Sequence, residues 1–451
     1  MTSIASKARP SRGDELELTI DSLAHGGNGV ARTDGYVVFV AGAVPGDRVR
    51  AVVGKAKRAY AEARTVEVLE PSPDRIAPAA DHPGAPWQVL PYERQLEVKA
   101  AQVREALERI GKLSDFELEP IVPAVEQWRY RNKLEYSFGT GEGGELVCGF
   151  HAPGRWDEIV PIDDCLLASE RSNEVREQVL AWARDQGLSA WDRRDQRGLL
   201  RNLVVREGRR TGELQVRLVT SPGAIDTDSL IDAVRCDGLF WTSQEQLGET
   251  SMGGETVLLN GTPQLRERLG GLEFLVSPEA FFQTNTEMAE QLYGVAAELA
   301  ALRGHERVFD LFCGIGTIGL TLASRAREVV GVEIVEPAVA DAIANARLND
   351  VLNARFYAGD IRLAMRDLVE EAGRPDVVVV DPPRAGLSQK VVRRILEAQP
   401  SRIVYVSCNP TTLAPNAAQM VEAGYALRRV RPVDMFPQTP HIESVALLER
   451  G

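Results

Sequence analysis

Beyond about residue 280 the chain alternates short apolar runs with segments of helical spacing. Five apolar, β-branched runs have strand length, and they are ERVFDLF, EVVGVEI, ARFYAG, DVVVVD and RIVYVS. Continuous apolar strands separated by helices are typical of a parallel sheet that is covered on both faces. Because such crossovers are right-handed, residues 280–451 are predicted to form a doubly wound α/β domain. Its ligand site is expected at the carboxyl ends of the strands.

A different pattern fills residues 14–70, where short alternating runs are broken by the turn clusters HGGNG, TDG and PGD. Short strands at regular spacing predict a small β-barrel. Its Gly-rich loops and basic edge suit an oligonucleotide-binding surface, although a barrel without a ligand would show the same pattern.

The remaining segments predict a tail, a linker and a central domain. Residues 1–13 are basic and polar and are expected to be flexible. Residues 71–91 are rich in Pro and Ala and indicate a linker loop. Residues 92–279 mix helix and strand patterns, which predicts an α+β domain. Within it, LLRNLVVREGRRTGELQVRLVT predicts a hairpin with a Gly- and Arg-rich turn.

Composition excludes several classes of protein. The 451 residues are 44% hydrophobic and 26% charged, which is typical of a folded globular protein and not of a disordered or fibrous one. No run approaches the roughly 18 apolar residues of a membrane-spanning helix. The N-terminus lacks the apolar core of a secretory signal. We expect a cytoplasmic monomer without membrane contact.

The five cysteines give no sign of a metal site. They are Cys148, Cys165, Cys236, Cys313 and Cys408, and no two form a CxxC pair. Without a secretory signal they are expected to be reduced.

The net charge of −13 argues against nucleic-acid binding, but the charge is unevenly distributed. Residues 48–64 hold six Lys and Arg against one Glu, and residues 193–210 hold seven Arg against one Asp and one Glu. Such stretches form phosphate-binding faces in other acidic proteins. Solvated surface charge is the alternative interpretation, and composition does not separate the two.

The first strand of the α/β domain leads into CGIGTIG at residues 313–319, a G-x-G-x-x-G sequence. Its glycines allow a ligand to approach the backbone at a helix N-terminus. Glu333 ends the next strand 19 positions after Gly314, close to the spacing of an acid that binds ribose hydroxyls. The context predicts an adenosine-containing cofactor, for which NAD and S-adenosylmethionine are both candidates. A tight packing turn is the alternative.

Two acids follow the next strands. Asp360 could accept a hydrogen bond from an adenine amino group, or it could cap a helix. Asp381 opens DPPRAGL, where two prolines fix a rigid turn without backbone donors. Such a turn suits the positioning of a flat base beside a methyl donor, and a nicotinamide enzyme has no comparable need for it.

Two further motifs carry candidate catalytic groups. Cys408 in SCNP follows the strand RIVYVS, beside a helix start where a thiolate is favoured. A buried packing cysteine is the alternative. Glu443 in PHIES opens the apolar strand SVALLE, either as an edge-exposed residue or as a general base with a raised pKa.

Together these motifs resemble the S-adenosylmethionine-dependent RNA (uracil-C5) methyltransferases, which modify uridines in bacterial 23S ribosomal RNA or in the T-loop of transfer RNA. The resemblance covers nearly the whole chain. Residues 14–70 look like the RNA-binding TRAM domain, and YRNKLEYSFG and LRNLVVREG look like the central domain. DLFCGIGTIGL, DPPRAGL, SCNP and HIES match the catalytic motifs in order and spacing. The resemblance implies a class I methyltransferase sheet with a Rossmann-like fold.

The resemblance also implies a role for each matching residue. Cys408 would be the nucleophile that adds to C6 of uracil, and Glu443 the base that removes the C5 proton. The cofactor would be bound by Gln283, Phe312, Gly314, Gly316, Thr317, Glu333, Asp360 and Asp381. RNA would be contacted by Arg131, Lys133 and Arg384.

The sequence departs from the family pattern at one place. Many ribosomal members carry four cysteines that bind an iron–sulfur cluster, and three of these would lie near residues 76–86. This chain has RIAPAADHPGAPW there, while Cys165 falls at the fourth position. We therefore expect no iron–sulfur cluster and no metal.

Several alternatives remain open. The N-terminal barrel favours ribosomal RNA as the substrate, with transfer RNA as the alternative. An enzyme acting on another base or on DNA, and a non-catalytic RNA-binding protein, are further candidates. An NAD-dependent oxidoreductase is a remote one, since it leaves DPPRAGL and SCNP unexplained.

Overall fold

The computed structural model of the protein describes residues 9–33, 35–248 and 250–451, apart from the side chain of Trp156. The first eight residues of the predicted tail lie outside these ranges. Contacts within the chain divide it into two compact units. The first holds the residues up to Asp81, Ala85–Arg104 and Phe436–His441, and the second holds His82–Gly84, Glu105–Met435 and Ile442–Gly451. The domain boundaries that the sequence suggested stay predictions.

The first unit is built on a six-stranded sheet. Its strands are β1 (Glu15–Thr19), β2 (Ser22–Leu23), β3 (Gly29–Thr33), β4 (Tyr36–Ala41), β5 (Arg48–Ala56) and β6 (Tyr60–Glu70). They lie in the order β1-β5-β6-β4-β3-β2, and the β4–β6 pair is parallel. Because alternate side chains point to one face, Val38, Val40 and Val49 are fully buried in a shared core. The predicted N-terminal β domain is confirmed.

A helix and a two-residue strand follow the six-stranded sheet in the sequence. Helix α1 (Tyr92–Glu105) continues into a π-helical turn at Ala106–Ile110. Strand β7 (Glu117–Leu118) follows and pairs with a strand near the C-terminus. The pairing therefore joins residues that are about 300 positions apart in the sequence.

The central part of the second unit is a seven-stranded sheet. Its strands are β8 (Lys133–Thr140), β9 (Leu146–Ala152), β10 (Arg155–Pro161), β11 (Leu200–Glu207), β12 (Leu214–Thr220), β13 (Gly238–Ser243) and β14 (Glu255–Gly261). The order is β10-β9-β8-β11-β12-β13-β14. Helices α2 (Glu170–Asp185) and α3 (Thr227–Ala233) pack against this sheet. The predicted hairpin is confirmed as β11 and β12, since Gly208 N donates to Glu213 O across its turn at 2.8 Å.

A short hairpin and a helix precede the last sheet. Strands β15 (Leu265–Leu269) and β16 (Leu272–Val276) pair with each other, and α4 (Thr286–Ala300) follows. The side chain of Asn285 caps α4 by accepting a hydrogen bond from Met288 N.

The last sheet has eight strands. Seven of them are β17 (Arg307–Leu311), β18 (Glu328–Glu333), β19 (Ala354–Ala358), β20 (Val377–Val380), β21 (Arg402–Ser407), β22 (Tyr425–Val433) and β23 (Glu443–Arg450). The intervening helices are α5 (Thr317–Ala323), α6 (Glu336–Leu348), α7 (Ile361–Ala372), α8 (Gln389–Ala398) and α9 (Pro410–Glu422). The order is β19-β18-β17-β20-β21-β23-β22-β7.

The direction of these strands determines where the functional residues meet. Strands β17 to β21 are mutually parallel, and β23 runs antiparallel between β21 and β22. Val377–Val380 is fully buried, as expected for a strand covered on both faces. The predicted doubly wound α/β sheet is confirmed, and its parallel strands all end at one edge.

Candidate active site

Cys408 and Glu443 meet at this edge of the sheet. Ser407 on β21 pairs with Ser444 on β23, so the next residue on each strand toward the edge is Cys408 and Glu443 respectively. Cys408 is half-buried, whereas Glu443 is only 3% exposed. The alternative that Glu443 is an edge-exposed residue is therefore wrong.

The loop after β21 fixes the position of Cys408. Asn409 caps α9 by accepting from Thr411 N at 3.0 Å. The Nδ2 atom of Asn409 donates to the carbonyl oxygen of Arg384 at 3.1 Å, and Thr412 Oγ1 donates to the same oxygen at 3.3 Å. The SCNP and DPPR turns are thus tied together, which places Arg384 beside Cys408.

Burial and neighbouring carboxyl groups control ionisation at this site. Burial, followed by the charges of Glu443 and Asp381, raises the pKa of Cys408 to about 12, while Arg384 opposes the shift. Burial and then Asp381 raise the pKa of Glu443 well above its usual range, again against Arg384. The expected raised pKa of Glu443 is found. The expectation that the helix start favours a Cys408 thiolate is wrong, because burial and the neighbouring carboxylates raise the pKa of Cys408 more than the helix start lowers it.

A second pair of acids lies behind this group. Burial, and then the neighbouring Asp310, raises the pKa of Asp381 to about 7. Asp310 is fully buried in β17, and its Oδ2 accepts from Gly319 N at 2.8 Å. Burial raises the pKa of Asp310 to about 7 as well. A nearby positive charge would lower the pKa values of these carboxyl groups again, so the cluster favours a positively charged ligand.

The glycine loop has the open geometry that a bound nucleoside requires. Gly314 and Gly316 have φ values of +53° and +86°, and a Cβ on Gly316 would lie 2.9 Å from the ring of Phe356. A Cβ on Gly314 would meet no heavy atom within 4 Å. Phe312 also has a positive φ, of +66°, at the entrance to the loop. The loop thus leaves room beside Gly314 for a ligand to contact its backbone.

Glu333 connects this loop to the end of the next strand. Its Oε2 accepts from Gly314 N at 3.2 Å, and its Oε1 accepts from Ile334 N and Val335 N at 2.8 and 3.0 Å. The carboxylate lies beside the open space at Gly314. It is therefore placed to accept hydrogen bonds from the hydroxyls of a ribose as well.

The other candidate cofactor residues differ in their surroundings. Thr317 donates through Oγ1 to the hydroxyl of Tyr293 at 3.1 Å, in a buried contact. Gln283 is 5% exposed, and its carbonyl accepts from Asn132 Nδ2 at 2.8 Å. Asp360 caps α7 and forms an ion pair with Arg362, which lowers the pKa of Asp360. Asp360 thus has the helix-cap geometry, at the edge where it was expected.

The candidate RNA-binding residues lie on different elements of the second unit. Arg384 lies at the strand-end edge and is exposed. Lys133 begins β8 of the central sheet, and Arg131 lies two residues before it, where Arg131 N donates to Leu167 O at 2.9 Å. Lys133 Nζ lies 2.6 Å from Glu135 Oε1, and burial lowers its pKa. Lys133 therefore already has a carboxylate partner.

Sequence reasoning missed two buried residues. Asn132 donates from Nδ2 to Gln283 O and to Thr286 Oγ1 at 2.8 and 2.9 Å, so that it joins the central sheet to the segment before α4. Nothing in the sequence signals this contact. Asp310 was missed as well, although an acid within the apolar strand ERVFDLF was a usable signal.

Cys165 lies apart from this edge, in a contact with His82. The Nε2 atom of His82 and Sγ of Cys165 are 3.2 Å apart, and both residues are buried. Burial lowers the pKa of His82. Among the described residues no group of three or more His, Cys, Asp or Glu could hold a metal ion. The expected absence of an iron–sulfur cluster stays a prediction.

No helix in the described ranges is both long and apolar enough to span a bilayer.

Two protein-family models match this chain, one in its C-terminal part and one in its N-terminal part. The family described as tRNA (Uracil-5-)-methyltransferase matches residues 271–451. The TRAM domain matches residues 10–66, which lie in the six-stranded sheet of the first unit.

Relatives and a solved structure extend the similarity over the whole chain. An uncharacterized RNA methyltransferase from Halalkalibacterium halodurans is 40% identical, covering 98% of each chain. One from Bacteroides thetaiotaomicron is 38% identical over 95% of this chain and 100% of its own. The crystal structure of Pyrococcus abyssi tRNA (uracil-54, C5)-methyltransferase in complex with S-adenosyl-L-homocysteine matches with a TM-score of 0.78 at 30% identity, covering 96% and 99% of the two chains. The protein therefore belongs to the tRNA (uracil-5-)-methyltransferase family of RNA methyltransferases and carries an N-terminal TRAM domain.

Proposed function

We propose that this protein transfers a methyl group from S-adenosylmethionine to C5 of a uridine in RNA, through a covalent bond between Cys408 and C6 of the base. The observation that carries the proposal is that Cys408, directly after β21, and Glu443, at the start of β23, occupy adjoining positions. They lie at the edge of the sheet where β17 also ends and leads into the glycine loop. A thiol next to a buried carboxyl group suits addition to a pyrimidine followed by removal of a proton. An oxidoreductase would need neither group at this edge.

The residues at the strand ends fit the cofactor. The open space at Gly314 and the Glu333 carboxylate suit an adenosine, and the acids Asp310 and Asp381 suit a nearby positive charge. When bound, S-adenosylmethionine supplies a methyl group on a positively charged sulfur. The proposed binding residues are Gln283, Phe312, Gly314, Gly316, Thr317, Glu333, Asp360 and Asp381.

Cys408 activates the base. Carbon 5 of uracil is a poor nucleophile, and addition of the Cys408 thiolate to C6 moves the C5–C6 electron pair onto C5 and the neighbouring carbonyl. The target nucleotide must leave its stack to reach the thiol. Arg384 lies beside Cys408 and is exposed, so its guanidinium is proposed to hold this nucleotide. Arg131 is proposed to contact the same target nucleotide, and Lys133 the RNA around it.

Glu443 completes the exchange. Once C5 carries both the methyl group and its original hydrogen, the carboxylate of Glu443 accepts that proton. The C–H electron pair restores the C5–C6 double bond and expels the Cys408 thiolate. The burial of Glu443 raises its pKa, which strengthens it as a base.

Either ribosomal or transfer RNA fits this chemistry. The N-terminal barrel led us to favour 23S ribosomal RNA. However, the Pyrococcus abyssi enzyme that matches 96% of this chain acts, by its name, on transfer RNA. The barrel therefore does not discriminate between the two substrates. Loss of 5-methyluridine at one position of ribosomal or transfer RNA in a deletion strain would identify the substrate.

The mechanism is tested with two variants and a matched control. Cys408→Ala is expected to abolish transfer of labelled methyl groups to RNA, whereas Cys236→Ala, at a half-buried cysteine after α3, keeps wild-type turnover. Glu443→Gln is expected to trap an RNA–protein adduct that survives a denaturing gel and disappears in the Glu443→Gln/Cys408→Ala double variant. Wild-type turnover by Cys408→Ala would reject the proposal.

A further inference from the structure

Asn132 separates Arg131 from Lys133, the two residues near the start of β8 that are proposed to contact RNA. It is only 3% exposed, so its own side chain is not available to RNA. Its carbonyl oxygen accepts from Glu207 N at 2.7 Å, which ties this point of the chain to the end of β11. Because a buried amide group needs hydrogen-bond partners, the partners of the Asn132 side chain show what else this point of the chain is attached to.

These partners lie in residues 283–286, named here the 283–286 segment. Asn132 N donates to Thr284 O at 2.8 Å. The Nδ2 atom of Asn132 donates to Gln283 O at 2.8 Å and to Thr286 Oγ1 at 2.9 Å. One residue between two proposed RNA contacts therefore holds both the backbone and a side chain of a segment that contains a proposed cofactor residue.

The side chain of Gln283 is suited to bind a ligand. The residue is 5% exposed, and its amide group forms no hydrogen bond with any residue that the structure describes. A buried amide group rarely stays without a hydrogen-bond partner, so a ligand that supplies one gains affinity. The backbone of Gln283 is thus held by Asn132 while its side chain is left for the cofactor.

Two further contacts restrict the 283–286 segment. Thr286 Oγ1 donates to Oε2 of Glu267 at 2.7 Å, and Glu267 is only 1% exposed. Asn285 Nδ2 donates to Met435 O at 2.9 Å. Each of the four residues in the segment therefore takes part in a hydrogen bond to another part of the second unit. Because these hydrogen bonds are costly to break inside the protein, a movement of the segment is passed on to Asn132.

We propose that Asn132 is a positioning residue that couples the binding of the cofactor to the binding of RNA. A cofactor held by Gln283 restricts the motion of the 283–286 segment, and the hydrogen bonds of Asn132 pass this restriction to Arg131 and Lys133. RNA then meets side chains that are already ordered, so each ligand increases the affinity for the other. The coupling rests on the proposed function, since it needs both ligands at the proposed residues.

Hydrogen exchange tests the transmission without RNA. S-adenosylhomocysteine added to the full-length wild-type protein is expected to slow exchange of the backbone N–H groups in a peptide covering residues 129–136 by about fivefold or more. In Asn132→Ala this slowing is expected to fall below about twofold, while a peptide covering the glycine loop at 313–319 stays protected. Equal slowing at 129–136 in Asn132→Ala and wild type would overturn the proposal.

Asn353→Ala is the matched control. Asn353 also donates from Nδ2 to two backbone carbonyl oxygens, those of Ala323 and Ala326 at 2.9 and 3.0 Å, but it lies directly before β19, at the amino ends of the parallel strands. Its replacement removes the same kind of side chain away from both proposed ligands. We expect wild-type slowing of exchange at 129–136 in this variant, and loss of the slowing would show that any lost buried amide has the effect and would overturn the specific role of Asn132.

Affinities test the coupling itself. The dissociation constant of a fluorescein-labelled, uridine-rich single-stranded RNA is measured by anisotropy with and without saturating S-adenosylhomocysteine. The addition is expected to increase RNA affinity about fivefold or more in wild type and Asn353→Ala, and less than about twofold in Asn132→Ala. Calorimetry of S-adenosylhomocysteine with and without RNA should give the same factor, because such coupling is reciprocal. A factor near one in wild type, or the wild-type factor in Asn132→Ala, would contradict the proposal.

Thr286→Val keeps the test decisive if Asn132→Ala does not fold. Valine is close to threonine in shape but lacks the Oγ1 atom that joins Asn132 to Glu267. The coupling factor is expected to lie between those of wild type and Asn132→Ala, and an unchanged factor would count against the proposal. Failure of the proposed function would give a different result, since wild-type protein would then not bind S-adenosylhomocysteine. Binding of both ligands without coupling would contradict only the role of Asn132.

Discussion

Cys408 and Glu443 each lie one residue beyond a paired serine, Ser407 on β21 and Ser444 on β23. The backbone hydrogen bonds of an antiparallel pair therefore set their spacing, and no flexible loop separates them from the sheet. The relationship also brings both groups within range of Asp381 and Arg384, whose opposing charges act on both pKa values.

Replacing Arg384 is expected to slow methyl transfer, because it raises the pKa of Cys408 further. The rate requires the Cys408 thiolate, whose fraction increases with pH because the pKa is about 12. Arg384→Gln removes the charge that lowers this pKa, so single-turnover rates near pH 7.5 should fall about tenfold if the shift is near one unit. Because the pKa lies far above this range, the rates of wild type and variant should rise in parallel from pH 7.5 to 9. Arg393→Gln removes a charge from α8 and serves as the control. The rate at which iodoacetamide alkylates Cys408 reports the thiolate fraction without RNA, and an unchanged alkylation rate in Arg384→Gln would indicate that Arg384 only positions RNA.

Replacing Glu333 is expected to weaken cofactor binding. Glu333→Gln removes the charge and one acceptor from a side chain that joins the glycine loop to the end of β18. Loss of hydrogen bonds to a charged group predicts a fall of about tenfold to a hundredfold in affinity for S-adenosylhomocysteine, measured by calorimetry. Glu336→Gln in the first turn of α6 should bind normally. Equal affinity of the two variants would remove Glu333 from the site.

Replacing Asp310 is expected to stabilise the protein in a pH-dependent way. Burial raises its pKa from 3.8 to about 7, so the unfolded chain releases this proton at a lower pH than the folded protein. The resulting destabilisation grows as the pH rises from about 4 to 7 and is constant above that. Asp310→Asn should therefore raise the melting temperature by about 2 °C or more at pH 7.5 and much less at pH 4.5. Asp367→Asn, on the exposed side of α7, is the control and should change the melting temperature equally little at both pH values. An equal effect of Asp310→Asn at pH 4.5 and 7.5 would contradict the raised pKa of Asp310.

Cys165 is expected to contribute more to stability than a cysteine of similar burial. Cys165→Ala leaves the buried His82 without its sulfur partner, which costs about 1–3 kcal/mol in addition to the lost volume. Cys148→Ala removes an equally buried sulfur and controls for that volume. Urea unfolding measures the free energy of unfolding of the two variants. Equal losses of free energy would show that the 3.2 Å contact between His82 and Cys165 does not stabilise the protein.

Iron content tests the expected absence of a cluster. Protein purified without oxygen should contain no stoichiometric iron and show no cluster absorbance, because residues 75–87 contain none of the three cysteines that the family pattern places there. One cluster per chain would contradict this expectation.

The sequence predicted the edge at which the functional residues meet, because parallel strands end together. Glu333, Asp381 and Cys408 each follow such a strand, and one rule places all three. Glu443 lies at the opposite end of its own strand, and only an acid opening an apolar run indicated it. The insertion of β23 between β21 and β22 is set by tertiary pairing, which no local pattern encodes.

Electrostatic properties were harder to predict, since they depend on neighbours that are distant in the sequence. The helix start beside Cys408 favours a thiolate, but burial, Glu443 and Asp381 reverse the effect. Lys133 forms an ion pair with Glu135, which the sequence pattern did not indicate. The sequence shows one basic stretch at residues 48–64. In the structure, three of its six cations form ion pairs with carboxylates, and the other three are exposed.

Strand β23 enters the described sheet between β21 and β22, although it follows both in the chain. β22 and β7 are therefore connected to the parallel strands through β23. During synthesis on the ribosome, neither can join the sheet before residues 443–450 have emerged. Since β23 begins with Glu443, the nascent chain completes its last sheet and acquires the proposed base in the same step. A chain that is arrested before β23 would lack both the complete sheet and the base.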